Sequence, residues 1–322
     1  MTPLSAELLA RLRAVAELRV WPGAPLSPFT TFGSGGRAKV LLTPGDPESL
    51  VEALAILREA GMSWVVLGAG SNVLVADQGY PGAVISLGSE FAYLQEDYPH
   101  SALVVGAGLS LPRLAVQAAD RGLSGLEFTC GIPGSVGGAV AMNAGAHGSN
   151  LEQVVTDVQI ADAEGLRRVD GGELEWHYRR CGLPADAVVT AVRLELVAAE
   201  RQEILIRHRT FQQARRRTQP RGVRNFGSTF KNPEGEAAGR LLEAAGLKGI
   251  RRGGAQISSV HANFVTNVDE ASTRDALDLM TIMRESVWAK HRIALDPEVR
   301  LLGAVFPWQR AADQARAGDQ AR

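Results

Sequence analysis

Two glycine-rich segments carry the strongest chemical signal in the chain. The first, Gly68-Ala69-Gly70-Ser71-Asn72-Val73, follows the apolar run Trp64-Val65-Val66-Leu67. Glycine lets the backbone approach a ligand closely, and successive N–H groups can form an anion-binding nest. Ser71 and Asn72 add side-chain donors, although the same residues would also make a tight turn. The second segment is Gly131-Ile132-Pro133-Gly134-Ser135-Val136-Gly137-Gly138-Ala139, with Asn143 shortly after it. An ordinary hairpin has no need of so many glycines. A loop wrapping a pyrophosphate does, because phosphate oxygens take several N–H donors with no Cβ atoms in the way. Two such loops in one half of a chain point to a dinucleotide. Neither is a G-x-G-x-x-G opening a helix, and no G-K-[ST] occurs, so the usual dinucleotide fingerprint and the P-loop are both excluded.

Three polar constellations lie further along: His177-Tyr178-Arg179-Arg180, Gly227-Ser228-Thr229-Phe230-Lys231-Asn232-Pro233, and Asp296-Pro297-Glu298-Val299-Arg300. Each has an unremarkable reading by itself. Arginines are mostly solvated, Gly-Ser mostly turns the chain, and Pro-Glu mostly opens an element.

In this order and together they carry a resemblance. The chain resembles the UDP-N-acetylenolpyruvoylglucosamine reductases, flavoenzymes of bacterial peptidoglycan synthesis, from about Thr30 to Gly303. The matching pieces are TTFGSGGRA at 30–38, VLGAGSNVLV at 66–75, GLSGLEFTCGIPGSVGGAVAMNAGAHG at 122–148, HYRR at 177–180, GSTFKNP at 227–233, AGLKG at 245–249, HANFVTN at 261–267 and PEV at 297–299. GIPGSVGG and GSTFKNP are the specific ones. The resemblance implies an α+β protein with a vanillyl-alcohol-oxidase/PCMH-type FAD-binding domain of two subdomains at 29–200. A C-terminal α+β domain at 201–308 would close over the flavin and bind the UDP-sugar, with a connector and helix at 1–28 and a tail at 309–322.

The resemblance also implies roles. Both glycine segments would hold FAD, non-covalently, although Cys130 and His147 lie near them and some flavoenzymes of this fold attach flavin through such residues. NADPH would donate the hydride. The substrate is an enolpyruvyl ether whose double bond is conjugated to a carboxylate, so hydride addition at the terminal carbon creates an enolate-like dianion. A fixed cation must meet that charge, and a proton donor must then serve the ether-bearing carbon. Arg179 would be the cation, Ser228 the proton donor, and Glu298 would stand on the carboxylate side. Tyr178, Arg215, Lys231, Asn232 and His261 would bind substrate. The stretch from Arg180 to Arg215 has no room for the tyrosine-bearing loop of one subclass, so the chain resembles the other, in which an arginine takes part in substrate binding. R-x-x-x-Q-P selects Arg215, with Arg216 and Arg217 as neighbours that leave the choice open. RNFG before Ser228 lacks the proline expected upstream. Another flavin oxidase of this fold would explain the loops but not GSTFKNP, and a non-catalytic nucleotide-binding protein would have no need of Arg179, Ser228 and Glu298 together.

Composition narrows the background against which these residues act. The chain has 322 residues, 35 glycines and a formal charge of -1. The near-neutral balance argues against a nucleic-acid binder. Two cysteines make neither a disulfide scaffold nor a four-cysteine zinc site, and no metal is expected. No apolar stretch reaches the ~18 residues of a membrane span, and the first 18 residues lack a signal-peptide pattern. A soluble cytoplasmic protein, a monomer or weak oligomer, is expected.

The elements that must position the chemistry follow from periodicity. Helices are predicted at 5–18, from Asp46 to Gly61, from Ser110 to Gly122, and at 201–217, 236–245 and 270–290. Strands are predicted at 64–67 (buried), at Val154–Ala161 and Val188–Val197 as a hairpin around Glu164-Gly165, and near 255–257 and 298–304. Residues 22–28 read as a connector, and 125–150 show no sustained helical period.

Overall fold

The computed structural model describes residues 4–97 and 101–309; from residue 310 onward the tail lies outside the described residues. The chain forms two units. Unit 1 comprises residues 1–24, 39–69 and 82–217, and unit 2 comprises 25–38, 70–81 and 218–322. The boundary therefore differs from residue 200: the helix at 201–218 groups with unit 1, and two early segments group with unit 2.

Unit 1 holds two cores. In the first, Ala6–Ala14 (α1) and Pro47–Glu59 (α2) bury Leu8, Leu12, Leu50, Leu54 and Leu57 against a four-stranded sheet. Its strand order is Leu18–Pro22, Ala38–Pro44, Tyr80–Ile85, Trp64–Val66. The strand at 18–22 replaces the end of the predicted first helix, which stops at Ala14. At the start of α2, Asp46 and Ser49 cap each other's backbone, and Pro47 fits where an N–H has no partner. Trp64–Val66 is half-buried rather than buried, because it is an edge strand.

The second core lies on a five-stranded antiparallel sheet ordered Gly165–Asp170, Val155–Asp162, Val188–Glu195, Ala102–Gly106, Leu94–Asp97. The predicted hairpin is corrected here. Val155–Asp162 turns at Glu164 into Gly165–Asp170, and Val188–Glu195 pairs along its other side. Gly165–Asp170 is an edge strand with exposed Leu166, Arg167 and Arg168, so it lacks the alternation that reveals a strand. Thr190, which interrupts the apolar face of 188–197, is buried with its hydroxyl bonded to the carbonyl and carboxamide oxygens of Gln159. Leu111–Asp120 (α3) and the short Val136–Ala141 (α4) cover this sheet. Arg201–Thr218 (α5) buries Ile204 and His208, with Phe211 and Arg215 continuing the same face at helical spacing. Ile206 points outward and is 54% exposed.

Unit 2 is a four-stranded sheet ordered Arg224–Ser228, Phe264–Asn267, Ala255–Ile257, Arg251–Arg252, packed by Ala238–Ala244 (α6) and Thr273–His291 (α7). Phe226, Phe230, Leu242, Val265, Met280 and Met283 form its core. The early segments belong to this core: Phe32 and Leu74 are fully buried in it, and Val73–Val75 pairs in parallel with Arg300–Leu302. The Asp77 carboxylate receives the N–H groups of Thr273 and Arg274 at the start of α7.

Candidate active site

In unit 1 the two glycine loops abut. The strand at 64–66 leads into Gly68, and a Cβ at Gly68 would stand 2.5 Å from Ser135 Oγ, so any other residue there would displace that hydroxyl. Ser135 begins α4, its hydroxyl accepting from Gly138 N–H at 3.3 Å. The N–H groups of Val136 and Gly137 donate to the carbonyls of Leu109 and Ala107 at 2.9 and 2.8 Å, and that of Ala139 to Ser135. Part of the glycine run thus serves close packing rather than a nest, which amends the reading of 136–139 as phosphate donors. Gly131 and Gly134, with φ of +77° and +148°, turn the loop ahead of them.

Arg215 lies across this loop, its Nε 3.4 Å from where a Cβ on Gly131 would be. It is half-buried, while Arg216 and Arg217 are exposed. Burial lowers its pKa; the Cys130 thiol opposes that and the guanidinium of Arg179 adds to it. Arg179 occupies the second position of a two-residue turn joining Trp176–His177 to Arg180–Cys181. Its φ is +61°, a left-handed conformation that costs a non-glycine residue roughly 1–2 kcal/mol. Its Cζ lies 4.8 Å from the centroid of the exposed Tyr178 ring.

Cys130 is buried and its thiol pKa is raised by that burial, against the opposing pull of Arg215 and Arg216. The His147 ring stacks on Phe211 at 4.1 Å, and burial, then Arg215, lowers its pKa.

In unit 2, Ser228 ends the strand at 224–228. Between Asn225 and Ser228 the register slips by one residue against the partner strand, with Gly227 at φ +79°. Without that bulge Ser228 would follow Phe226 into the core; with it, Ser228 is half-buried while Phe226 is fully buried. Ser228 through Lys231 then runs beside Asp296 through Glu298: Glu298 N–H donates to the Thr229 carbonyl, and Lys231 N–H to that of Asp296, both at 2.9 Å. Asn72 Nδ2 donates to the Glu298 carbonyl at 3.1 Å, and the Asn72 carbonyl accepts from Arg300. Unit 2 thus brings Ser228, Glu298 and Asn72 together, and Gly70, Ser71 and Val73 belong to this unit, while Gly68 and Ala69 belong to unit 1.

Of the remaining sequence-derived residues, Asn232, His261 and Asn143 have structural duties. Asn232 Oδ1 accepts from Ala238 N–H at the start of α6. His261 Nδ1 accepts from Asn263 N–H, its ring packs on Gly239 and Phe264, and burial lowers its pKa, so it is poorly suited to be a cation for a diphosphate. Lys231 is half-buried beside the Glu298 segment. Asn143 is buried and holds Glu152 and the hairpin at His177.

Two residues escaped sequence reasoning. Asn263 clamps Phe230, accepting its N–H at 3.0 Å and donating to its carbonyl at 2.8 Å. Glu127 is buried and receives the Ser124 hydroxyl, the Gly125 N–H and the Arg207 guanidinium. Both are polar residues inside apolar runs, and that was the available signal. Among the described residues no cluster of ligands could hold a metal ion, and no helix is long and apolar enough to cross a membrane.

Two family descriptions match the chain: "FAD binding domain" over residues 38–170 and "UDP-N-acetylenolpyruvoylglucosamine reductase, C-terminal domain" over 219–302. A relative named UDP-N-acetylenolpyruvoylglucosamine reductase in Anaeromyxobacter sp. (strain Fw109-5) is 46% identical over 301 residues, 92% of each chain. One named UDP-N-acetylenolpyruvoylglucosamine reductase 2 in Symbiobacterium thermophilum is 41% identical over 310 residues, 96% of this chain and 99% of its own. The crystal structure of the reductase from Thermus caldophilus superposes with a TM-score of 0.78 at 38% identity, covering 88% of this chain and 99% of that one. The residues of unit 1 fit the dinucleotide that the first description names: two loops meet where a Cβ would obstruct, with the Ser135 hydroxyl at the junction and the Arg215 guanidinium over Gly131.

Proposed function

The chain belongs to the UDP-N-acetylenolpyruvoylglucosamine reductases, which are FAD-dependent oxidoreductases, and from that premise we propose how its own residues carry the reaction. It takes hydride from NADPH and delivers it to the enolpyruvyl ether of UDP-N-acetylglucosamine, giving UDP-N-acetylmuramate. This places it in the cytoplasm, with the nucleotide sugars. FAD, when bound, relays the hydride between the two nucleotides.

Arg179 meets the charge that develops on the substrate carboxylate as the terminal carbon is reduced. A guanidinium suits this task because it is always charged and can engage a carboxylate through two N–H groups. The turn presets it, so little reorganisation remains at the moment of reaction. Ser228 gives its hydroxyl proton to the ether-bearing carbon. A serine is a weak acid, and the accumulated negative charge of the enolate drives the transfer. Glu298 stands on the carboxylate side, fixed by Asn72 and Thr229. Arg215 takes the diphosphate, with Lys231 as a second cation; Tyr178 packs near the flavin or orients Arg179. Burial of the Cys130 thiol and the stacking of His147 support non-covalent flavin. The observation that carries this reading is the half-buried Arg215 over the Gly131 loop, in the same unit as the left-handed Arg179.

The test is anaerobic. NADPH should bleach the flavin of the purified protein, and the UDP-enolpyruvyl sugar should restore its colour. Bleaching without recovery would reject the substrate. Ser228→Ala should leave bleaching by NADPH nearly intact and slow the recovery by roughly 100-fold or more; an equal loss in both steps would remove Ser228 from the role of proton donor.

A further inference from the structure

The Tyr178–Arg179 turn is strained at Arg179, so something outside the hairpin must hold it. The hairpin pairs two residues on each side of the turn, Trp176–His177 and Arg180–Cys181, and one further bond runs from Gly182 N–H to the Glu175 carbonyl. A ladder that short does not determine its own geometry. Trp176 donates its ring N–H to the Gly171 carbonyl at 2.8 Å, and at the turn itself Asn143, at the end of the second glycine segment, reaches the hairpin from elsewhere.

Asn143 is 2% exposed and has φ +39°, a conformation that asparagine tolerates better than most residues. Its Oδ1 accepts the Glu152 N–H at 3.2 Å, and its Nδ2 donates to the His177 carbonyl at 3.2 Å. These partners fix the amide orientation: an N–H faces one end and a carbonyl the other, so the group cannot be reversed. Glu152 Oε2 lies 3.4 Å from Nδ2. The His177 carbonyl belongs to the peptide bond that enters the turn at Tyr178. We propose that Asn143 is a positioning residue: its buried carboxamide ties the second glycine loop to the hairpin and so sets where the Arg179 guanidinium stands. The inference rests on the role given to Arg179 above, and it replaces the expectation that Asn143 contacts the flavin.

Asn143→Asp tests it. Aspartate keeps the shape, tolerates the positive φ and still accepts from Glu152 N–H. At neutral pH it turns a donor toward the His177 carbonyl into an acceptor, which repels that carbonyl and loosens the turn. Misplacement of a catalytic group by about 1 Å costs on the order of 100-fold in rate. The variant should keep its flavin and its reduction by NADPH, while recovery with the UDP-enolpyruvyl sugar slows by that order. At 2% exposure the site disfavours the charged form of the new carboxyl. The protonated form can donate to His177 again, so recovery in the variant should accelerate, relative to the unsubstituted protein, as the pH falls from about 8 to about 6. A residue with a merely structural role would slow both half-reactions together, and acid would rescue both alike.

Amide hydrogen exchange supplies a readout independent of turnover. Peptides spanning 176–181 should exchange faster in Asn143→Asp than in the unsubstituted protein, and most of the difference should vanish at the acid end. Unchanged exchange there, or equal slowing of both half-reactions with loss of flavin, overturns the inference. If the unsubstituted protein is not reoxidised by the sugar, the proposed substrate falls, and the exchange measurement alone then decides whether Asn143 holds the turn.

Discussion

At the scale of single residues, Arg179 separates stability from function. Its φ of +61° is one that glycine adopts freely and other residues adopt at a cost. Arg179→Gly and Arg179→Ala should both abolish substrate reduction. The alanine variant retains the strain and the glycine variant does not, so the glycine variant should be the more stable by about 1 kcal/mol in denaturant unfolding. If the alanine variant is at least as stable, the turn is not held left-handed in solution. The choice of Arg215 over Arg216 and Arg217 belongs to the same scale. Three successive arginines point about 100° apart on a helix, so the sequence motif could nominate one of them, but only the packing of α5 turns one inward.

At the scale of elements, the site depends on anchors that are themselves buried polar groups. Glu127 joins the loop preceding Gly131 to α5, the helix that carries Arg215. Burial alone would raise its pKa, but hydrogen bonds from the Gly125 N–H, the Ser124 hydroxyl and Arg207 outweigh it, and the group is held below its ordinary 4.5. A carboxyl depressed on folding contributes its stability in full above the unfolded value and loses it as the pH falls through the folded one. The anchor should therefore weaken on acidification below about pH 4.5. Glu127→Gln should cost about 1–2 kcal/mol at pH 7 and flatten the fall in stability between roughly pH 4.5 and pH 3. Denaturant unfolding against pH is the measurement; an acid limb as steep as before would show that other groups cause it. The Gly227 bulge works in the same way on unit 2, where a single residue of register decides whether Ser228 faces the core or leaves it.

At the scale of the molecule, the two units do not follow the order of the chain. Unit 2 takes Phe32 and Leu74 into its core and pairs Val73–Val75 with Arg300–Leu302. A fragment of residues 201–322 should therefore fail to fold as a soluble domain, despite the family match at 219–302. Such a fragment would lack a strand partner and leave two cavities where Phe and Leu side chains stood, each worth several kcal/mol. A two-dimensional NMR spectrum decides: well-dispersed amide signals from that fragment would refute the prediction.

By itself the sequence determined the family, the FAD-binding class and most helices. Those features are written in short range: the Asp46 cap and Pro47, the stop at Gly61 (φ +58°), the glycine runs and GSTFKNP each depend on residues within a few positions of one another. Pairing order, the exposed strand at 165–170, the grouping of α5 with unit 1 and the engagement of the 136–139 N–H groups were decided only by tertiary structure. The physical reason is that a strand's partner and an amide's acceptor lie tens or hundreds of residues away. Asn72 and Asn143 sit at the ends of glycine loops, where sequence assigns them to a ligand. Their carboxamides instead reach Glu298, 226 residues on, and His177, 34 residues on, and no local pattern encodes such a contact.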